Sequence, residues 1–349
     1  MTQTVLVTGA SGFIGSQLCR TYARQGVHVR AVGLIKTDAE RTRAESMRAD
    51  PTIDFHELSV TDPRPLSELI GGVDVVLHLS AAQHEAGMPA SHFHRVNVDG
   101  TRHVFEAAIA HGVRRVVHAS TIGVYQPQEL VTLDSPLGSD HHYGRTKLEA
   151  ERMIEREFMD QIETVVVRIS EAYGPEDYRL LKMFRAIETG KWLHIGPGLN
   201  PHHPIYIDDL VEHLQAAAQV QQAKGQTFVA AGPHTVTSRE MAEQVADALG
   251  APRPTRTLPL GPMKLAAVVM ETLSRPIHLT PPLHRRRLDF FVRGFDFDIS
   301  RTRELLAIQP QIDFAEGARL TADWYRQAGL LRETPHRPPL ECPPVRFSA

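Results

Sequence analysis

At 349 residues the chain exceeds the length at which a single hydrophobic core stops growing, so one large domain with an appended lobe, or two domains, is expected. Hydrophobic residues make up 42%, enough for a globular core, and 38 basic against 41 acidic side chains leave a formal charge of -3, which excludes nucleic acid as an expected partner. Two cysteines, Cys19 and Cys342, supply neither a disulfide framework nor a cysteine-based zinc site and point to a reducing, cytoplasmic setting.

The N-terminus runs directly into Thr4-Val5-Leu6-Val7-Thr8 without a charged and apolar leader. From residue 3 to about 170, short apolar strands alternate with longer helical patterns, the signature of a parallel sheet covered on both faces. Strands are predicted at Thr4 to Thr8, His28 to Val32, Ile53 to Glu57, Val75 to Leu79, Val116 to Ser120 and Thr164 to Ile169. Their β-branched, nearly continuous apolar character suits burial on both sides. Ile14, Leu18 and Tyr22, and again Val104 and Ala108, recur every four residues, as helices packing one stripe on a sheet do. The expected fold class is α/β, a Rossmann-type doubly wound parallel sheet with a smaller mixed α/β C-terminal substrate lobe.

After Tyr173-Gly174-Pro175 the elements shorten and glycine and proline punctuate them. The expected division is a dinucleotide-binding domain over 1–175, a substrate lobe over 176–332 to which some return segments of the first domain belong, and a proline-rich tail over 333–349. Residues 263–274 read as a helix for core or lid packing, with contact at a membrane surface as the alternative. No apolar run reaches the roughly 20 residues that span a bilayer, so no integral membrane segment is expected.

Three features carry chemistry. Thr8-Gly9-Ala10-Ser11-Gly12-Phe13-Ile14-Gly15 follows the first strand and opens a helix, the setting of a dinucleotide cradle. Glycines permit the tight turn and close approach, and the helix N-terminus offers unpaired N–H groups to a pyrophosphate. Gly33 stands where an acidic residue would hold the adenosine ribose. Without that carboxylate a 2′-phosphate is not repelled, and Lys36, Arg41 or Arg43 are candidates to approach one, so the cofactor is NAD or NADP.

The third feature is Tyr143 and Lys147, four residues apart, which on a helix puts a phenol and an ammonium on one face. A tyrosine titrates near 10, too high for an efficient base near neutrality, and an ammonium one turn away favours the phenolate. Tyr143 is therefore the candidate acid/base. The histidine pairs 141/142 and 202/203 carry no metal-ligand pattern, so no metal is expected.

Together with Asp74 to Ala82, Asn97 to Thr101, Ala119 to Tyr125, Arg168 through Pro175 and Tyr206 to Asp209, these motifs give the chain, over roughly residues 3–330, a resemblance to the extended short-chain dehydrogenase/reductase superfamily in its NAD-dependent epimerase/dehydratase branch. The resemblance implies that Gly9, Ser11, Gly12, Phe13, Ile14, Gly15, Leu79, Ser80 and Ala81 line the cofactor. It further implies that Asn97 opens the next helix near the nicotinamide, that Thr121 holds the reacting oxygen beside Tyr143, and that Lys147 also holds the nicotinamide ribose. A homodimer through helices near 95–112 and 143–158 is implied as well.

The pattern also departs from the branch. Its dehydratases carry Asp-Glu after the catalytic threonine, where this chain has Ile122-Gly123. Its nucleotide-sugar epimerases carry an asparagine and an arginine on the substrate diphosphate, where this chain has Glu171 and His202. The region from Leu279 through Phe297 to Arg301 and Trp324-Tyr325 is similar to 3β-hydroxysteroid-dehydrogenase-like members, and Arg285-Arg286-Arg287 within it reads as a solvated basic face. The expected activity is reversible NAD(P)-dependent hydride transfer at the secondary alcohol or ketone carbon of a small molecule, with net redox placed first. Epimerisation of a nucleotide sugar through a keto intermediate with tightly held NAD comes second, and a non-catalytic NAD(P)-sensing regulator third.

Overall fold

The computed structural model describes residues 3–83, 88–126, 128, 130–274 and 285–332. Leu279 to Pro282, the side chains of Arg285 to Arg287 and the tail from Glu333 lie outside what is described.

Seven parallel strands form one sheet: β1 (Thr4–Thr8), β2 (His28–Gly33), β3 (Ile53–Glu57), β4 (Val75–His78), β5 (Arg115–Thr121), β6 (Glu163–Ile169) and β7 (Thr227–Ala230). Their spatial order is β7-β6-β5-β4-β1-β2-β3, a doubly wound sheet whose direction of growth reverses between β1 and β4. The alternation of side chains explains its two covered faces. Val5, Val7, Val29 and Val75 point into one core with Leu18 and Tyr22, whereas Leu6, Val32, Val76 and Val116 point into the other with Leu66, Val104 and Phe105.

Helices α1 (Phe13–Arg24), α2 (Asp38–Arg48), α3 (Gly100–Ala110), α4 (His142–Glu157) and α5 (Ile207–Gln219) flank the sheet. Because all strands run the same way, the loops after β1, β4 and β5 converge on one edge, at the reversal point where a parallel sheet leaves a crevice. Six strands match the sequence expectation to within a residue. The seventh arises from the region assigned to the substrate lobe, so the sheet is complete only with residues beyond 175.

The lobe is assembled from short pairings that lean on this edge. Glu171–Tyr173 runs parallel to Pro204–Tyr206, and Pro201–His202 runs antiparallel to Val236–Thr237. Asp209, in the first turn of α5, accepts the backbone N–H groups of Gln311 and Ile312 at 2.9 Å each, which ties the C-terminal segment to the sheet. Helices α6 (Leu260–Ser274) and α7 (Arg285–Val292) meet through a small cluster of Ile195, Ala267 and Leu288. Ala267 is fully buried, while Leu265, Val268 and Val269 are exposed on the same helix. No helix among the described residues is long and apolar enough to cross a membrane.

Candidate active site

The glycine loop is built by close approach. Gly9 has φ +71°, and a Cβ there would lie 2.8 Å from the Ser80 nitrogen; a Cβ on Gly15 would lie 2.2 Å from the Gly9 carbonyl oxygen. The loop therefore presses against the Leu79–Ser80 backbone, and only glycine permits it. Gly12 starts α1 without a side-chain cap, which leaves first-turn N–H groups for an anion.

Gly9, Ser11 to Gly15, Leu79, Ser80 and Ala81 line a cavity of about 520 Å³ that reaches Thr121 and Tyr143 at its inner end. The crowded glycines, the uncapped helix start and this cavity fit a dinucleotide. A second cavity of about 920 Å³ adjoins it, and Thr121, Tyr143 and Arg179 line both. The structure thus brings the predicted acid/base and hydroxyl to the junction of a cofactor-sized cleft and a larger chamber.

Tyr143 reaches that junction because the N-terminus of α4 butts against the turn after β5. The helix is capped by His141, whose Nδ1 accepts the Gly144 N–H at 2.9 Å. A Cβ on Gly144 would meet Ser139 Oγ at 2.1 Å and the Gly123 carbonyl at 2.4 Å, so glycine beside the tyrosine is a packing requirement. Thr121 ends β5, accepts the Gly123 N–H at 3.1 Å and lines both cavities beside Tyr143.

Burial pushes the Tyr143 phenol up to about 12, against the Thr121 hydrogen bond and the Arg179 charge, which both favour phenolate. Arg179 is a site residue that sequence reasoning missed. Its Nε bonds Asp177 Oδ1 at 2.8 Å, its Nη2 bonds the Ala172 carbonyl, and its guanidinium lies 5.8 Å from the Phe13 ring centre. No local spacing marks it, because the contact joins α1 to a loop more than 150 positions away.

Lys147 sits lower than its spacing suggested. It is 1% exposed and does not line the cavity; its Nζ lies 3.0 Å from His118 Nε2 on β5. Burial brings its ammonium down to about 7, opposed by the Glu151 charge. The ammonium expected to tune Tyr143 thus also meets a buried histidine, and the Arg179 charge adds to what favours the phenolate.

Asn97 is likewise behind the wall. It lies inside a helical run that begins at Ala90 and passes through a π-helical turn at Arg95–Asp99, so it does not open a helix as expected. Its side chain accepts the Ala82 N–H at 2.7 Å and donates to Thr146 Oγ1 at 2.9 Å, bracing the loop after β4 against α4. Arg43, one candidate for a 2′-phosphate, is 8% exposed and committed to Glu176 at 3.0 Å. That candidacy is withdrawn: the guanidinium cross-links α2 to the loop after Pro175.

The two departures, Glu171 and His202, meet each other. His202 Nδ1 lies 2.9 Å from Glu171 Oε1, and its Nε2 lies 3.0 Å from the Phe290 carbonyl. Burial lowers the imidazole's proton affinity, but the Glu171 charge and these hydrogen bonds outweigh it and raise the pKa overall. A raised folded value means stability that is present below the unfolded pKa and lost as pH rises through the folded one. Glu171→Gln is therefore expected to be less stable than the wild type below about pH 6.5, with the gap closing at higher pH. Thermal melts of both proteins across that range check it, and a gap that widens with rising pH would contradict the ion pair.

Two other chamber arginines also face carboxylates, while Arg145 donates to the Ser139 and Asp140 carbonyls. Arg293 pairs with Asp289 at 3.2 Å and with Asp140, and Arg179 pairs with Asp177. Among the described residues no group of three or more His, Cys, Asp or Glu side chains is arranged to hold a metal.

Comparison with known proteins agrees with this architecture. The family model described as "NAD dependent epimerase/dehydratase family" matches residues 5–231. The chain is 28% identical over 340 residues to a dTDP-glucose 4,6-dehydratase of Streptomyces griseus, covering 94% of this chain and 95% of that one. It is also 28% identical over 330 residues to a 2-alkyl-3-oxoalkanoate reductase of Stenotrophomonas maltophilia, covering 90% and 97%. Among solved structures, the NAD complex of a UDP-glucuronic acid 4-epimerase from Bacillus cereus superposes with a TM-score of 0.75 at 22% identity, over 93% of this chain and 99% of that one. With its fold, its glycine cradle and more than half of its length matched, the chain belongs to the NAD-dependent epimerase/dehydratase family.

Proposed function

We propose that this protein is an NAD(P)-dependent oxidoreductase that moves a hydride to or from a hydroxyl-bearing carbon of a small molecule, with Tyr143 as its acid/base. The observation that carries the reading is the junction itself: Thr121 and Tyr143 both line the cofactor cleft and the larger chamber where the one opens into the other. A dinucleotide bound in the cleft supplies the hydride acceptor or donor. The protein supplies the proton traffic. At neutral pH Tyr143 is a neutral phenol, ready to give its proton to a carbonyl oxygen in the reductive direction. In the oxidative direction it takes a hydroxyl proton as phenolate, the form that Thr121 and Arg179 favour. Thr121 holds the substrate oxygen, and Lys147 with His118 forms the buried polar base under the site. The presence of Tyr143 and Thr121 at this junction argues against a purely cofactor-sensing role.

Two substrate readings have specific support. Nucleotide-sugar epimerisation is favoured by the similar solved structures, several of which hold a UDP sugar, including a Thermotoga maritima UDP-glucose 4-epimerase with UDP-glucose, and the comparisons as a whole lean this way. Net oxidation or reduction of an uncharged substrate is favoured by the chamber, where Glu171 takes up His202 and where Arg179 and Arg293 already face carboxylates. A diphosphate there meets a carboxylate, at a cost that depends on how far water screens it. Cofactor retention separates the two. Oxidised NAD that survives gel filtration, with UDP-hexoses interconverted and no net nicotinamide reduction, is the outcome for epimerisation. Exchangeable cofactor with net turnover of neutral alcohols or ketones is the outcome for redox.

Assembly as a homodimer is part of the proposal. Helices α3 and α4, which the family resemblance puts at the interface, lie side by side here, joined by Arg102 and Glu157.

A further inference from the structure

The end of β2 carries no side chain because none can be built there. A Cβ on Gly33 would lie 2.7 Å from Ser11 Oγ and 2.9 Å from the Ser11 nitrogen, and Ser11 Oγ is itself held by the Leu34 carbonyl at 2.6 Å. A carboxylate at this strand end, the usual holder of the adenosine ribose, is therefore excluded by packing against the glycine loop.

Another carboxylate reaches the same cavity. Glu40, in the first turn of α2, lines the cofactor cleft together with Ser11, Leu34 and Lys36. It is fixed by a reciprocal cap: its Oε2 accepts the Lys36 N–H at 2.8 Å and the Thr37 hydroxyl at 3.1 Å, while its own N–H donates to Thr37 Oγ1 at 3.2 Å. We propose that Glu40 replaces the missing strand-end carboxylate, accepts the adenosine ribose hydroxyls, and makes this chain selective for NAD over NADP.

The surrounding charge supports that assignment. The positive start of α2 is already faced by Asp38 and Glu40, two carboxylates against the one ammonium of Lys36. Of the other basic residues nearby, Arg43 is consumed by Glu176 and by the Ser11 carbonyl, and Arg41 does not line the cleft. A 2′-phosphate would enter a cleft whose wall already carries the fixed carboxylate of Glu40. Recognition of the adenosine ribose by Glu40 is independent of the role of Tyr143.

Calorimetric titration of the full chain with NAD and with NADP, in the absence of substrate, tests it. The wild type is expected to bind NAD at least about tenfold more tightly than NADP. Glu40→Gln keeps the cap, since glutamine serves at that position as glutamate does, but removes the charge; its preference is expected to shrink by at least about fivefold. Lys36→Gln is expected to leave the preference for NAD in place. Equal or tighter NADP binding by the wild type overturns the proposal, as does a preference unmoved in folded Glu40→Gln or lost in Lys36→Gln. Should Glu40→Gln fail to fold, NAD lacking the adenosine 2′-hydroxyl replaces it as the probe: an affinity loss of about tenfold in the wild type is expected, and no loss overturns the assignment. Because no turnover is read, either result leaves the hydride-transfer reading to its own test.

Discussion

Tyr143→Phe is expected to lose at least about 100-fold in turnover while its dinucleotide affinity stays close to that of the wild type. The substitution removes one oxygen and keeps the ring, so the stacking of this side chain beside His141 and the start of α4 persist. The cradle is built from Gly9 to Gly15 and Leu79 to Ala81, on other elements. What disappears is the phenolic hydroxyl, the group that gives or takes the proton at the junction of the two cavities. Steady-state rates together with calorimetric affinities check this. Near-normal turnover in the phenylalanine variant would refute the acid/base role, and loss of cofactor affinity in step with turnover would recast Tyr143 as a binding residue.

Glu151→Ala is expected to destabilise the fold by about 3–5 kcal/mol, because it strips the partner from a buried cation. Arg168 and Glu151 are each 8% exposed in their side chains and meet at 2.7 Å. Glu151 also accepts the Ser120 hydroxyl, and Arg168 donates to the Tyr125 hydroxyl at 2.7 Å. This chain of contacts joins β5, β6 and α4 beneath Thr121 and Tyr143. Removing the carboxylate leaves the guanidinium in a low-dielectric interior with one phenol for company. Chemical denaturation measures the loss, and replacing both partners with apolar residues of similar volume should recover much of it. An alanine variant within about 0.5 kcal/mol of the wild type would mean that the pair is solvated and carries little.

The strands of the sheet were legible because burial on both faces demands unbroken apolar runs, and Thr4 to Thr8 or Thr164 to Ile169 have no other good reading. β7 was not, since its four residues lie among the short elements of the lobe and only pairing with β6 identifies them. The glycine loop and Tyr143 were legible for a similar reason: each obeys a local spacing. What local spacing cannot carry is partnership at a distance. Glu171 and His202 could be recognised separately as departures, but their meeting across 31 positions belongs to the fold. Lys147 reads as the partner of Tyr143, but its second contact, with His118 29 positions earlier on the neighbouring strand, has no local signal. Gly33 reads as a missing carboxylate until Ser11 explains the glycine and Glu40 comes into the cleft.

On the proposed function, hydride leaves or reaches a carbon held between Thr121 and Tyr143. Rapid mixing of NAD-loaded protein with a panel of neutral secondary alcohols and UDP-hexoses, followed by the absorbance of reduced nicotinamide, tests it most directly. The wild type should form reduced nicotinamide with at least one panel member, transiently for an epimerase and persistently for a dehydrogenase, and Tyr143→Phe should form it at least about 100-fold more slowly. Wild-type protein saturated with cofactor that forms none with any member, or a phenylalanine variant that forms it just as fast, would rule out Tyr143 as the acid/base of a hydride transfer.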